Sequence, residues 1–191
     1  MSASTPFQDT PHADLPPAAP REPVHTRTIA CHGYRRADGL WDIEGELVDT
    51  KAYGFDNAFR GRIEPGVPLH GMRLRLTLDD DLVVHAAHAA SYATPYRPCP
   101  DIAPDFSALA GLRVGPGWRK DVLARLGGTK GCTHLVELAL GALATTAIQT
   151  IGPLRKRASV GKPGHLDACH ALATDGEVVR DRYPEFYTGA R

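Results

Sequence analysis

Cys132 and His134 stand two residues apart in Gly131-Cys132-Thr133-His134, where a long apolar-periodic segment begins. A thiol in the first turn of a helix meets free backbone N–H groups and the positive end of the dipole, and both favour the thiolate. Lys130 adds positive charge, and a loose first turn lets His134 line the same cavity as Cys132. Such a thiolate can serve as a metal ligand or as a nucleophile. The plainer reading is a helix start with a packed cysteine. Cys99 lies in Pro95-Tyr96-Arg97-Pro98-Cys99-Pro100, so its thiol is presented by backbone stiffened by proline. His70 precedes the most regular strand pattern of the chain. Imidazole and thiolate are the ligand types that zinc and iron favour. The chain has no Cys-x-x-Cys and no His-Glu-x-x-His, so the candidate set of His70, Cys99, Cys132 and His134 must be assembled by the fold. A second reading is a metal-free enzyme acting on a small organic substrate. In it Cys132 or His134 is acid–base or nucleophile, and Tyr53, Tyr96 and Trp118 line the pocket. A third is a non-catalytic accessory domain.

Other reactive groups have simpler explanations. His165 and Cys169 are four apart, with Asp167 and His170 beside them, and would share one face of a polar surface helix. His85 and His88 are expected on opposite faces of a strand. Asp42, Glu44 and Glu46 alternate with Trp41, Ile43, Gly45 and Leu47, which makes them a solvated sheet face. Asp79-Asp80-Asp81 lacks the alternating ligands and glycine of a calcium loop and reads as a turn. Gly127-Gly128-Thr129-Lys130-Gly131 precedes a helix but lacks Walker spacing, which argues against a phosphate loop.

The chain has 191 residues and 22 basic side chains against 22 acidic ones, a formal net charge of zero. That balance argues against a general nucleic-acid binder, which must neutralise many phosphates. The local run Arg155-Lys156-Arg157 reads as a solvated loop. No stretch reads as a membrane span, and the N-terminus lacks the basic-then-apolar pattern of a secretory signal. The four widely spaced cysteines (Cys31, Cys99, Cys132 and Cys169) suit a reducing cytoplasm.

The elements that must position these groups follow from periodicity. Residues 1–24, rich in Pro, Ala, Ser, Asp and Thr, have little to bury and are expected to be a disordered arm. Residues 25–191 are expected to form one α+β domain. Thr26–Tyr34 and Trp41–Leu47 read as one hairpin across Arg36-Ala37-Asp38-Gly39. Met72, Leu74, Leu76 and Leu78 then alternate with Arg73, Arg75 and Thr77, and Leu82–Ala87 returns across the aspartate turn. Residues 52–68 read as a long ordered loop. Helical spacing begins near Pro104, with a second helix from Trp118 to Leu126 and the longest from Cys132 to Ile151. On that last helix Cys132, Val136, Ala139, Leu143, Thr146 and Thr150 are expected to share a face. A further helix or turn is expected at His165–Ala173. Strands first and helices afterwards predict an antiparallel sheet of two hairpins with helices packed on one face.

Three segments carry a resemblance: Asp38-Gly39-Leu40-Trp41-Asp42-Ile43-Glu44-Gly45, Met72-Arg73-Leu74-Arg75-Leu76-Thr77, and Gly127-Gly128-Thr129-Lys130-Gly131-Cys132-Thr133-His134-Leu135. They look like a bacterial domain family of unknown function, over roughly Thr26 to Pro184. More distantly, the chain resembles iron–sulfur scaffold proteins of the NifU and IscU type. That likeness implies a sheet followed by helices, with Cys99 and Cys132 at the second and third cysteine positions. Leu69-His70-Gly71 differs from the scaffold's first turn, having histidine in place of cysteine and aspartate. The resulting expectation is one cavity shared by Cys99, Cys132 and at least one of His70 and His134.

Overall fold

The computed structural model describes residues 15–155 and 161–190. Most of the expected N-terminal arm (1–14) and two residues of the basic run, Lys156 and Arg157, lie outside the described residues. Residues 15–24 are exposed and form neither helix nor strand.

Two long hairpins make one antiparallel sheet. Strands β1 (His25–Arg35) and β2 (Trp41–Lys51) form the first, and β5 (Pro68–Leu78) and β6 (Val84–Ala93) the second. The strand order is β1-β2-β5-β6. Period-two alternation sorts the residues into two faces, as the sequence predicts. Trp41, Ile43, Leu47, Met72, Leu74, Leu76 and Leu78 are fully buried on one side. On the other, Arg75 pairs with Glu44 at 2.6 Å, Arg73 with Glu46 at 2.9 Å, and Thr77 donates to Asp42 at 2.6 Å. Asp42, Glu44 and Glu46 are thus a cross-strand ladder on the outer face. A groove of about 390 Å³ lies there, lined in part by Ala30, His32, His88 and Ala90, but its carboxylates and guanidiniums already hold one another.

Helices cover the inner face. Helix α1 is Trp118–Leu126 and α2 is Thr133–Ile151. Their buried residues join the sheet's inner side chains in one apolar cluster, together with Phe106 and Leu109. The architecture is α+β, with the sheet preceding its helices. On length and composition α2 could cross a membrane, with 19 residues at mean hydropathy 1.3. That differs from the expectation that no stretch reads as a span, but its fully buried Leu135, Leu138, Ala139, Leu143, Ala147 and Ile151 pack in the core.

Several local expectations are corrected. Residues 52–68 are not all loop: β3 (Phe55–Asn57) and β4 (Gly61–Ile63) form a small separate hairpin, too short for periodicity to register. The helix expected near Pro104 is a 3-10 run that begins earlier, at Cys99, and ends at Leu109. Register shifts in the β5–β6 ladder between Thr77 and Leu78, so His85 falls at a bulge, and both His85 and His88 are exposed. His85 Nε2 lies 2.9 Å from Asp79 Oδ2, within the aspartate turn. In α2 a π-type turn at Ala139–Leu143 changes the helical phase, leaving Thr146 and Thr150 half-buried at the flank. His165 and Cys169 share no helix: the segment is a series of turns ending in a 3-10 turn at His170–Leu172, and α3 follows at Glu177–Arg182.

Candidate metal centre

The inward parity of β2 runs Trp41, Ile43, Gly45, Leu47 and then Asp49, which places a carboxylate on the core face at 1% exposure. A buried carboxylate must find donors for its lone pairs, and the neighbouring strands supply them. Across β1, Arg27 grips Asp49 with both arms, Nε to Oδ1 at 2.7 Å and Nη2 to Oδ2 at 2.8 Å. Across β5, His70 sits directly opposite Asp49 and places Nδ1 at 3.1 Å from Oδ2. His25 Nε2 lies 3.4 Å from Oδ1.

The N-terminus of α2 closes the group from above. Cys132 is its N-cap, with extended backbone, and therefore precedes the first helical turn rather than lying in it. His134 reaches down until its Nε2 is 3.7 Å from Asp49 Oδ2, and its ring lies 4.0 Å from that of His70. Glu137, one turn on, takes the remaining arm of Arg27 at 2.6 Å. Helix and sheet are thereby joined through Arg27, which ties two carboxylates on different elements.

Asp49, His70 and His134 each offer a ligand atom, and these atoms lie within 4.8 Å of one another. The histidines of the sequence-derived set thus meet, while neither cysteine belongs to this triplet. Cys132 is adjacent, its Sγ 3.9 Å from His134 Nδ1 and 3.8 Å from Met72 Sδ. Cys99 is half-buried at the start of the 3-10 run, just after β6 leaves the sheet beside Gly71. Of the aromatics expected around a pocket, Trp118 is a core residue that donates to the Ala139 carbonyl, while Tyr53 and Tyr96 are exposed. Asp49 and Arg27 were missed by sequence reasoning. Their signal was parity: both fall on the inward phase of their strands, where a charge needs a reason.

The electrostatics favour neutral imidazoles beside an ionised carboxylate. Burial, then the neighbouring His134, holds His70 below the ordinary histidine range. Burial, then the positive charge of Arg27, does the same to His134. For Asp49 burial acts upward, but the Arg27 hydrogen bonds and charge outweigh it and keep the carboxyl below its usual value. A carboxylate and two neutral imidazoles are the protonation states in which these groups ligate a metal.

No curated protein and no solved structure matches the chain, so the likeness to NifU- and IscU-type scaffolds rests on the residues alone. A family model does match, over residues 25–149, from the first residue of β1 to near the end of α2. By that match the chain belongs to the family described as "Protein of unknown function (DUF2889)".

Proposed function

We propose that the protein binds one zinc or iron ion through Asp49, His70 and His134. The observation that carries this reading is the pair of separations at Asp49 Oδ2, 3.1 Å to His70 and 3.7 Å to His134. Ligands of a tetrahedral ion with bonds of 2.0–2.1 Å lie about 3.3–3.4 Å apart, between those two values. Two histidines and a carboxylate leave coordination positions open, as in zinc hydrolases and non-haem iron enzymes. The side chains of His70 and His134 are 17% and 23% exposed, so a small molecule can reach them. Arg27 orients Asp49 from behind, as outer-shell partners of ligating groups do. Four free thiols suit a reducing cytoplasm as the place of action. Cys99 and Cys132, which lie outside the triplet, remain proposed soft ligands.

Elemental analysis of protein purified without chelator or metal-affinity resin tests the assignment. About one zinc or iron per chain is expected, falling at least tenfold in occupancy in Asp49→Asn and His70→Gln. Absence of metal from the native protein, with no uptake on addition of either ion, rules it out.

One observation favours a second reading. Cys132 Sγ, His134 and Asp49 lie in sequence, at 3.9 Å and then 3.7 Å, the order of a nucleophile, a base and its orienting carboxylate. If the protein is metal-free, Cys132 should alkylate with iodoacetamide faster than the other three thiols, and His134→Gln should remove that advantage. Loss of both behaviours would leave the accessory-domain reading.

A further inference from the structure

The carboxylate triplet uses only one side of His134. Nε2 faces Asp49, whereas Nδ1 faces Cys132, whose Sγ also lies 3.8 Å from the Met72 thioether. Met72 is 1% exposed and held by the sheet, and Cys132 is fixed by the backbone that opens α2, so the two sulfurs come from rigid elements. Thiolate and thioether are soft ligands, the thioether in particular favours copper(I) over zinc or ferrous iron, and imidazole suits copper as well. We propose that Cys132, Met72 and His134 Nδ1 form a second site, of different ligand class, that takes a copper(I) ion.

Geometry and charge both support this. Bonds of about 2.3 Å to sulfur and 2.0–2.1 Å to nitrogen put trigonal ligands about 4.0 Å (S to S) and about 3.8 Å (S to N) apart. The two separations at Cys132 Sγ are 3.8 and 3.9 Å. A copper(I) thiolate is formally neutral, which suits a half-buried thiol packed against the Met72 thioether. Asp49, by contrast, already shares both oxygens with Arg27. With the carboxylate site empty, binding releases the Cys132 thiol proton to solvent, leaves the His134 ring proton on Nε2 facing Asp49, and changes no oxidation state.

The test is an anaerobic titration of metal-free protein with copper(I) in competition with bicinchoninate, run in parallel with a zinc titration. Wild type should bind one copper(I) per chain. Cys132→Ser should weaken it about 100-fold and the volume-conserving Met72→Leu about tenfold. His70→Gln should leave copper(I) affinity within about threefold while losing zinc; Asp49→Asn, which removes the carboxylate facing His134 Nε2, should also lose zinc but weaken copper(I) by no more than about tenfold. Met72→Leu should keep zinc. That crossed pattern separates failure of this site from failure of the carboxylate site. Copper(I) affinity indifferent to Met72→Leu, or lost along with zinc in Asp49→Asn and His70→Gln, overturns the proposal, as does absence of stoichiometric copper(I).

Discussion

Asp49 is held from three sides, by the charge of Arg27 and by the imidazoles of His70 and His134, and this sets what its neighbours can tolerate. Removing one partner of a buried pair leaves a desolvated charge behind, so Arg27→Met should cost about 3 kcal/mol, the low end for such pairs because Arg27 is partly exposed. Chemical denaturation would measure it. The same substitution removes a positive charge that depresses both histidines, so His70 and His134 should titrate higher, visible in imidazole NMR shifts. A second consequence concerns pH. Both histidines have folded pKa values below their unfolded ones, so on acidification the unfolded chain takes up protons first. Metal-free protein should therefore lose stability as pH falls from about 6.5, the unfolded histidine value, towards the lower folded values. Asp49 acts in the same direction at lower pH: its contribution is present above the unfolded carboxyl value and is lost as pH falls through the depressed folded one. Urea midpoints at several pH values should show the decline, and a His70→Gln/His134→Gln variant should flatten its upper part. At this scale the chain was half legible. The two histidines could be singled out by type and by position near element ends. Asp49 was missed, because the alternation that marks it continues past the point where the inward apolar residues of β2 stop.

Helix α2 does more than carry Cys132 and His134; it must lie close enough to the sheet for them to reach down. Two glycines make that possible. A Cβ at Gly45 would come within 3.0 Å of Leu138 Cδ1 and 3.1 Å of Leu143 Cδ2. A Cβ at Gly33 would collide with the Thr150 side chain, including Thr150 Cβ at 2.8 Å, which no rotamer change relieves. Gly33→Ala should thus lift the far end of α2 and cost about 1–3 kcal/mol, the range for overpacking a tight contact. Thr150→Ala in the same chain should recover only part of the loss, because the Cβ contact persists. A double-mutant cycle on thermal midpoints reads this, and full additivity of the two changes would contradict the packing described. The alanine, glycine and threonine content of α2 is plain in the sequence, and small side chains allow close approach. Its phase was not visible, since a single π-type turn shifts every later residue and leaves no compositional mark.

Over the whole molecule, the order of elements was the most legible property, because antiparallel hairpins declare themselves through local alternation and turn residues. The meeting of β1, β2, β5 and α2 at one end of the sheet was less legible. It joins residues from His25 to Glu137 through contacts that no local pattern encodes. The same long-range logic assigns different roles to the two parts of the chain. Every residue of the candidate metal centre, and every member of the apolar cluster between sheet and helices, lies at or before Ile151. Beyond it, Leu166 and Val179 are buried but stand outside that cluster, and α3 packs chiefly on its flanking 3-10 turns. Asp167, at φ 61°, organises this region locally by accepting from Thr174 N–H at 2.8 Å and Lys162 at 2.6 Å. A chain ended after Arg155 should therefore keep cooperative unfolding and the same metal content, with its melting temperature lowered by no more than about 4 °C, equivalent to roughly 1 kcal/mol. A shortened chain that is unfolded, or folded but lacking metal that the full chain binds, would show that the C-terminal turns are part of the framework holding Asp49, His70 and His134 together.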